Sequence, residues 1–345
     1  MSFWVKLVGV TSKIMRFKAD NFPNEVIECI DVAPNNAVAI GTFRPYSSSA
    51  VYITDSEGKT HRKLIHNFPI SALKFCSLDS SILVSVSDRI RIWNSDSGSL
   101  LAVLEAEESE NSVQVCPFTC IDFLPESFLF AVSDTCGSVS VWDASSKQAV
   151  EIFQLGSEKL FSLSFVAPGF IACLGETGSV FIIDRQAHQV VCSNSANLVP
   201  PCQPMRIAWL HMHSLVAVAF QTSGVVSVFE YSNLSGAANP KLIGSTKPGE
   251  SIADISWDQA HPTYLVVARD TGLVQVFHKA NLESPHFDSR VHAGASCLAW
   301  TMDGLLLIGN VSGEVVQTRL PDTLVTGGAT LLKTDHGSTS YPALA

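Results

Sequence analysis

Gly137-Ser138-Val139-Ser140-Val141-Trp142-Asp143 decides how this chain reads. A turn glycine leads into alternating apolar and polar residues and then into a large aromatic. That is the mark of a short strand with one face buried. The same design returns at residues 50–55 (AVYITD), 89–93 (RIRIW), 178–184 (GSVFIID), 224–229 (GVVSVF), 272–277 (GLVQVF) and 313–318 (GEVVQT). From Thr54 to Thr318 six intervals span 264 residues, a mean of 44. A fixed period of this size marks an array or ring of similar units.

Two further patterns keep the same rhythm. Ahead of each copy lies an apolar, polar, apolar, polar stretch that ends on a large residue, as in Cys29-Ile30-Asp31-Val32 and Cys120-Ile121-Asp122-Phe123. The last residues of its seven copies, Val32, Phe75, Phe123, Phe165, Trp209, Trp257 and Trp300, fall 43, 48, 42, 44, 48 and 43 apart. Between the two patterns lies an almost wholly apolar run, such as 82–86 or 215–220, which reads as a strand buried on both faces. A fourth, weaker strand is expected on the solvent side at 63–65, 100–104, 149–153 and 190–192. Helical periodicity is nearly absent.

Four strands per unit and seven units predict an all-β chain folded as one seven-bladed β-propeller over residues 1–320. The ends of such a ring must be joined. Residues 12–18 alternate and precede the first copy, so they are expected to close the last blade. Residues 321–345, rich in Gly, Ser and Thr, are expected to be a flexible tail, with 324–332 a candidate extra strand at the seam.

Composition bounds the function. The chain has 345 residues, 46% hydrophobic and 16% charged, with a net charge of −10. An acidic surface repels phosphate, which argues against nucleic acid as a partner. No apolar run is long enough for a membrane helix, and residues 1–10 make a poor secretory signal. Of nine cysteines, Cys29, Cys76, Cys120, Cys173 and Cys297 sit in apolar strand-like runs. Buried free thiols in a reducing cytoplasm or nucleus are the expected reading.

At this point the residues resemble a known family. The ending at Trp142-Asp143 looks like that of a WD40 repeat. Residues 83–93 (LVSVSDRIRIW), 39–43 (AIGTF), 66–69 (HNFP), 116–123 (CPFTCIDF) and 205–209 (MRIAW) are similar to the WD40-repeat adaptor family of the plant transparent-testa-glabra protein and its animal kinase-scaffold homologue, a cullin-4-associated WD-repeat factor. The resemblance implies a non-catalytic scaffold that binds protein kinases or transcription regulators. The cullin-4 role in such proteins uses a Trp-Asp-x-Arg ending. Here Trp142-Asp143-Ala144 is followed by Ser145, and Arg185 follows Asp184 one place early. No copy has the Gly-His pair of these repeats, and only one has a true Trp-Asp. The buried His, Asp, Ser/Thr and Trp set that braces many such blades is therefore expected to be mostly missing.

Candidate chemistry is sparse. His211-Met212-His213 could hold zinc only with further ligands, and none stands at ligand spacing. No nucleophile elbow, metalloprotease motif or phosphate loop is present. No catalytic, metal or cofactor residue is assigned, and no enzyme activity is expected. Partner contacts are expected on the connections before the first strands and in the acidic run: Asn67, Phe68 and Pro69; Glu105, Glu107, Glu108 and Glu110; Cys116, Pro117 and Phe118; Gln203 and Pro204. The aromatics Trp93, Trp142, Phe229 and Phe277 are expected to fill the gaps between blades. The competing readings are a structural subunit of a coat or nuclear-pore complex and a propeller enzyme.

Overall fold

The computed structural model describes residues 3–7, 10–15, 25–44, 48–105, 116–194, 204–210, 214–231, 240–258, 263–291 and 293–320. Among them there is no helix. The first pattern folds as the inner strands Val26–Val32, Ala72–Phe75, Phe118–Phe123, Leu160–Ala167, Pro204–Leu210, Ile252–Trp257 and Ala295–Trp300. The apolar runs give the second strands Val38–Phe43, Ile82–Val86, Leu129–Asp134, Phe170–Gly175, Leu215–Phe220, Tyr264–Arg269 and Leu306–Asn310. The turn-led copies give the third strands Ser49–Thr54, Ile90–Asn94, Ser138–Asp143, Val180–Asp184, Val225–Glu230, Leu273–His278 and Val315–Thr318. Outer strands follow in blades 1 to 6: Thr60–His66, Ser99–Leu104, Gln148–Gln154, Gln189–Asn194, Lys241–Ser245 and Phe287–Arg290.

Each blade is an antiparallel sheet whose strands lie in chain order, so every link is a hairpin. Blade 7 is the exception. Its outer strand is Val10–Met15, which runs antiparallel to Val315–Thr318 with Ser12 opposite Thr318 and Met15 opposite Val315. A fifth strand, Phe3–Leu7, pairs outside it. The closing strand thus starts two residues before the expected 12–18, and residues 16–18 lie outside the described residues. The tail 321–345 lies outside them too. The extra strand at the seam comes from Phe3–Leu7, a segment whose sequence suggested no strand.

Closure shows in the packing. Inner strands touch their neighbours from blade 1 round to blade 7, and the inner strand of blade 7 touches that of blade 1. The buried apolar side chains form clusters that each bridge two adjacent blades. One joins Ile27, Ile30, Val38 and Ile40 of blade 1 to Cys297, Ala299, Leu307 and Val315 of blade 7. Trp93 fills the gap between blades 1 and 2, and Trp142 the gap between blades 2 and 3. Phe229 and Phe277 do the same further round the ring. Burial of these rings, rather than any one polar contact, supplies most of the adhesion between blades.

Cys29, Cys76, Cys120, Cys173 and Cys297 are free thiols, buried or half-buried. Cys116 and Cys136 depart from the free-thiol expectation. They are joined by a disulfide, with Cα atoms 5.8 Å apart. Cys136 stands in a turn next to the start of its own blade's inner strand, a proximity that the spacing of 20 residues hides.

Candidate binding rim and the channel beneath it

Antiparallel order divides the loops between two rims. The upper rim carries the connections into each inner strand and the turns between second and third strands. The lower rim carries the remaining turns. The inner strand is the edge of its sheet, so its outward backbone groups need partners from the next blade. Carboxylates supply them. Asp31 of blade 1 accepts from the Phe75 backbone N at 2.7 Å and pairs with the Lys74 ammonium at 3.0 Å. Asp122 of blade 3 accepts from Phe165 N at 3.0 Å and from the Ser164 hydroxyl at 3.1 Å. Asp254 of blade 6 accepts from Leu298 N at 2.8 Å and pairs with Arg206 of blade 5 at 3.4 Å.

The charges of these groups are already engaged. The Asp31 carboxylate holds the Lys74 ammonium above its ordinary pKa. Burial pushes the Asp122 and Asp254 carboxyls up, while Lys74 and Arg206 respectively oppose it. Among the described residues no group of three or more His, Cys, Asp or Glu is placed to hold a metal ion. His211 and His213 lie outside them. In the sequence these aspartates stand only as the polar beats of a pattern. Their use as staples between blades needs the ring.

On the upper rim, Asn67, Phe68 and Pro69 are exposed, and Phe68 remains 52% accessible. The flanking residues His66 and Ile70 are buried at 1% and 2%, so the loop stands between two fixed anchors. The Trp93 indole N–H donates to the Ser85 hydroxyl at 2.9 Å, and that hydroxyl lies 3.1 Å from His66 Nε2. With its oxygen accepting from Trp93, Ser85 is free to donate its proton to an unprotonated Nε2. Burial lowers the His66 pKa to about 4, the positive Arg91 adding to the effect. The junction of blades 1 and 2 therefore keeps three members of the bracing set expected to be mostly missing, His66, Ser85 and Trp93.

The second rim segment adjoins the first. Ser71 N donates to the Val86 carbonyl and Phe118 N to the Ser87 carbonyl, at 2.9 and 3.0 Å. Residues 67–70 and 116–118 thus flank the same turn of blade 2. Pro117 is exposed and Cys116 half-buried. Phe118 is only 5% accessible and belongs to the core between blades 2 and 3. Its expected role as a contact is corrected to that of an anchor: its ring is spent on packing and cannot also meet a partner. Glu105, at the upper end of blade 2, is exposed and paired with Arg89. Glu107, Glu108, Glu110 and Gln203 lie outside the described residues. Pro204 starts the inner strand of blade 5, apart from the other candidates, which lie around blades 2 and 3.

Arg185 bears on the ligase question. It makes a forked pair with Glu151 at 2.8 and 2.7 Å, and its side chain is 11% accessible. The guanidinium joins blades 3 and 4 and is not presented to a partner.

Fold and rim define a seven-bladed β-propeller. No family model matches the chain, and no curated protein matches it. Among solved structures, a chain of the "Crystal Structure of Mitotic Checkpoint Complex" superposes with a TM-score of 0.70 at 14% identity, covering 86% of this chain and 87% of that one. That likeness is one of fold.

Proposed function

We propose that this propeller is a non-catalytic scaffold of the WD40 adaptor kind, holding regulatory proteins on the upper rim around blade 2. Protein kinases and transcription regulators are the partners the sequence resemblance favours, in the cytoplasm or nucleus. One observation carries the reading: Phe68, a large aromatic 52% accessible, stands on a short loop whose neighbours on both sides are buried. A ring held at both loop ends leaves little entropy to lose on binding, and exposed aromatics are the usual anchors of interfaces. Asn67, Pro69, Cys116 and Pro117 complete the surface. The acidic run from Glu105 through Glu107, Glu108 and Glu110 would steer a basic segment towards it, an effect that fades with salt.

A ring closed by its own N-terminal strand needs no strand from a neighbour, which counts against a coat or nuclear-pore subunit. The engaged Arg185 likewise counts against cullin-4 docking through an arginine ending. The test is affinity capture from the native cell with wild-type chain and with Phe68→Ala. Capture of kinases or transcription regulators that drops in the variant, at an unchanged melting temperature, supports the proposal. Equal capture by both chains refutes the rim assignment, and recovery of coat subunits refutes the adaptor role.

A further inference from the structure

An outer strand leaves one row of backbone N–H and C=O groups without a neighbour in its own sheet, and charged side chains are the usual means of blunting such an edge. Most blades follow that rule. Thr60–His66 carries Arg62 and Lys63, Gln148–Gln154 carries Glu151, Lys241–Ser245 carries Lys241, and Phe287–Arg290 carries Asp288 and Arg290. Gln189–Asn194 has no charge but is polar along half its length. Blade 2 differs. Its outer strand, Ser99–Leu104, reads SLLAVL, and Leu100, Leu101 and Val103 are exposed. It is the last strand of a four-stranded sheet and pairs there with Ile90–Asn94.

The two ends of this edge differ in charge. At the lower end, Arg62 of blade 1 lies against the turn that leads into Ser99. Its Nε donates to the Asp96 carbonyl at 3.0 Å, and its Cδ stands 3.2 Å from the point where a Cβ on Gly98 would lie. Lys147 of blade 3 reaches in from the other side. Its Nζ donates to the carbonyl of Leu101, where the strand bulges, at 3.4 Å. The two cations outweigh the Asp96 carboxylate. At the upper end the sequence runs on into Glu105, which is paired with Arg89, and then into Glu107, Glu108 and Glu110. The edge is thus positive below and negative above.

We propose that this edge is where two copies of the chain associate, strand against strand in antiparallel order. A two-fold axis through the edge brings the same patch together on both copies. It sets the lower end of each strand against the upper end of the other, so Arg62 and Lys147 of one copy meet the acidic run of the second. The Lys147 ammonium keeps two further protons for those carboxylates. Backbone groups that blade 2 leaves unpaired are then bonded, the exposed Leu100, Leu101 and Val103 leave water, and two four-stranded blades become one sheet. Six residues make a short edge, so the association is weak and depends on concentration. The surface is the outer wall of blade 2. It does not include Phe68 and does not rest on the rim reading above.

The test is sedimentation of the whole chain across a concentration series, with hydrogen exchange of residues 99–104 measured at its two extremes. Wild type should pass from monomer to dimer as concentration rises, exchange over 99–104 should slow, and added salt should drive the dimer apart. Val103→Lys should stay monomeric at an unchanged melting temperature. Lys147→Glu, which lies outside the strand, should weaken the dimer about tenfold at low salt. A wild-type chain that remains monomeric throughout overturns the proposal. So does a dimer that persists in Val103→Lys, or one whose 99–104 amides exchange as fast as in the monomer. Slow exchange over 99–104 in a monomeric chain also overturns it, because another segment of the same chain would then cover the edge.

Discussion

Beneath the exposed Phe68, His66 is packed against Trp93 with ring centroids 5.4 Å apart and has Ser85 on one nitrogen. Its Nδ1 has no hydrogen-bond partner among the described residues. Protonating the ring would place a charge in a dry site, which is why its pKa falls from 6.5 to about 4. The sign follows from linkage. The unfolded chain takes up this proton below pH 6.5, whereas the folded chain resists until about pH 4. Stability is therefore lost as pH falls through that window, by up to about 3 kcal/mol. Denaturant titrations of wild type and His66→Gln between pH 7 and pH 4 should converge as pH drops; parallel profiles would remove His66 as the cause. The sequence offered little warning of this group. His66 lies 19 residues from Ser85, and without a Gly-His pair it carries no label. The aspartate staples were hidden likewise, since their partners are backbone amides of the next blade.

At the scale of the strand, most of the fold was legible. Inner, second and third strands announce themselves because their side chains are buried and must be apolar at fixed beats. The outer strands blur: Thr60–His66 exposes Thr60, His61, Arg62 and Lys63, and water tolerates any pattern there. Register faults near the starts of inner strands, as between Ile27 and Cys29 or Phe118 and Cys120, are bulges that no spacing revealed. Close packing sets its own demand at Gly309, in the second strand of blade 7. A Cβ there would lie 2.6 Å from Cys297 Sγ and 2.8 Å from Ile27 Cγ2. Gly309→Ala should cost about 1–3 kcal/mol, read as a lower denaturation midpoint at an unchanged slope. A neutral result would mean that blades 7 and 1 are not packed as described.

The whole molecule depends on a seam. Six blades are built from consecutive hairpins and would form locally, but the seventh needs Val10–Met15 to reach across nearly the full length of the chain to Val315–Thr318. Such a contact is costly in loop entropy and is made last or not at all. If it holds, the ring is stiff, and the upper rim keeps Phe68, Glu105 and Pro117 in fixed relation around blade 2. If it fails, blade 7 bares an unpaired edge, and the ring loses the rigidity that the proposed binding role requires. Repeat count and closure were readable from the seven copies and the alternating segment ahead of them. The candidate rim positions carry no such signal, because loops have no period.

An engineered cross-link at the seam tests this directly. Lys13 and Gln317 face each other across the closing pair, and Ser140 and Ile152 do so inside blade 3. Lys13→Cys with Gln317→Cys should oxidise to a disulfide as readily as the control pair Ser140→Cys with Ile152→Cys, and the denatured product should migrate as a large closed loop on a non-reducing gel. A control pair that bonds while the seam pair stays reduced would contradict the closed seven-bladed ring.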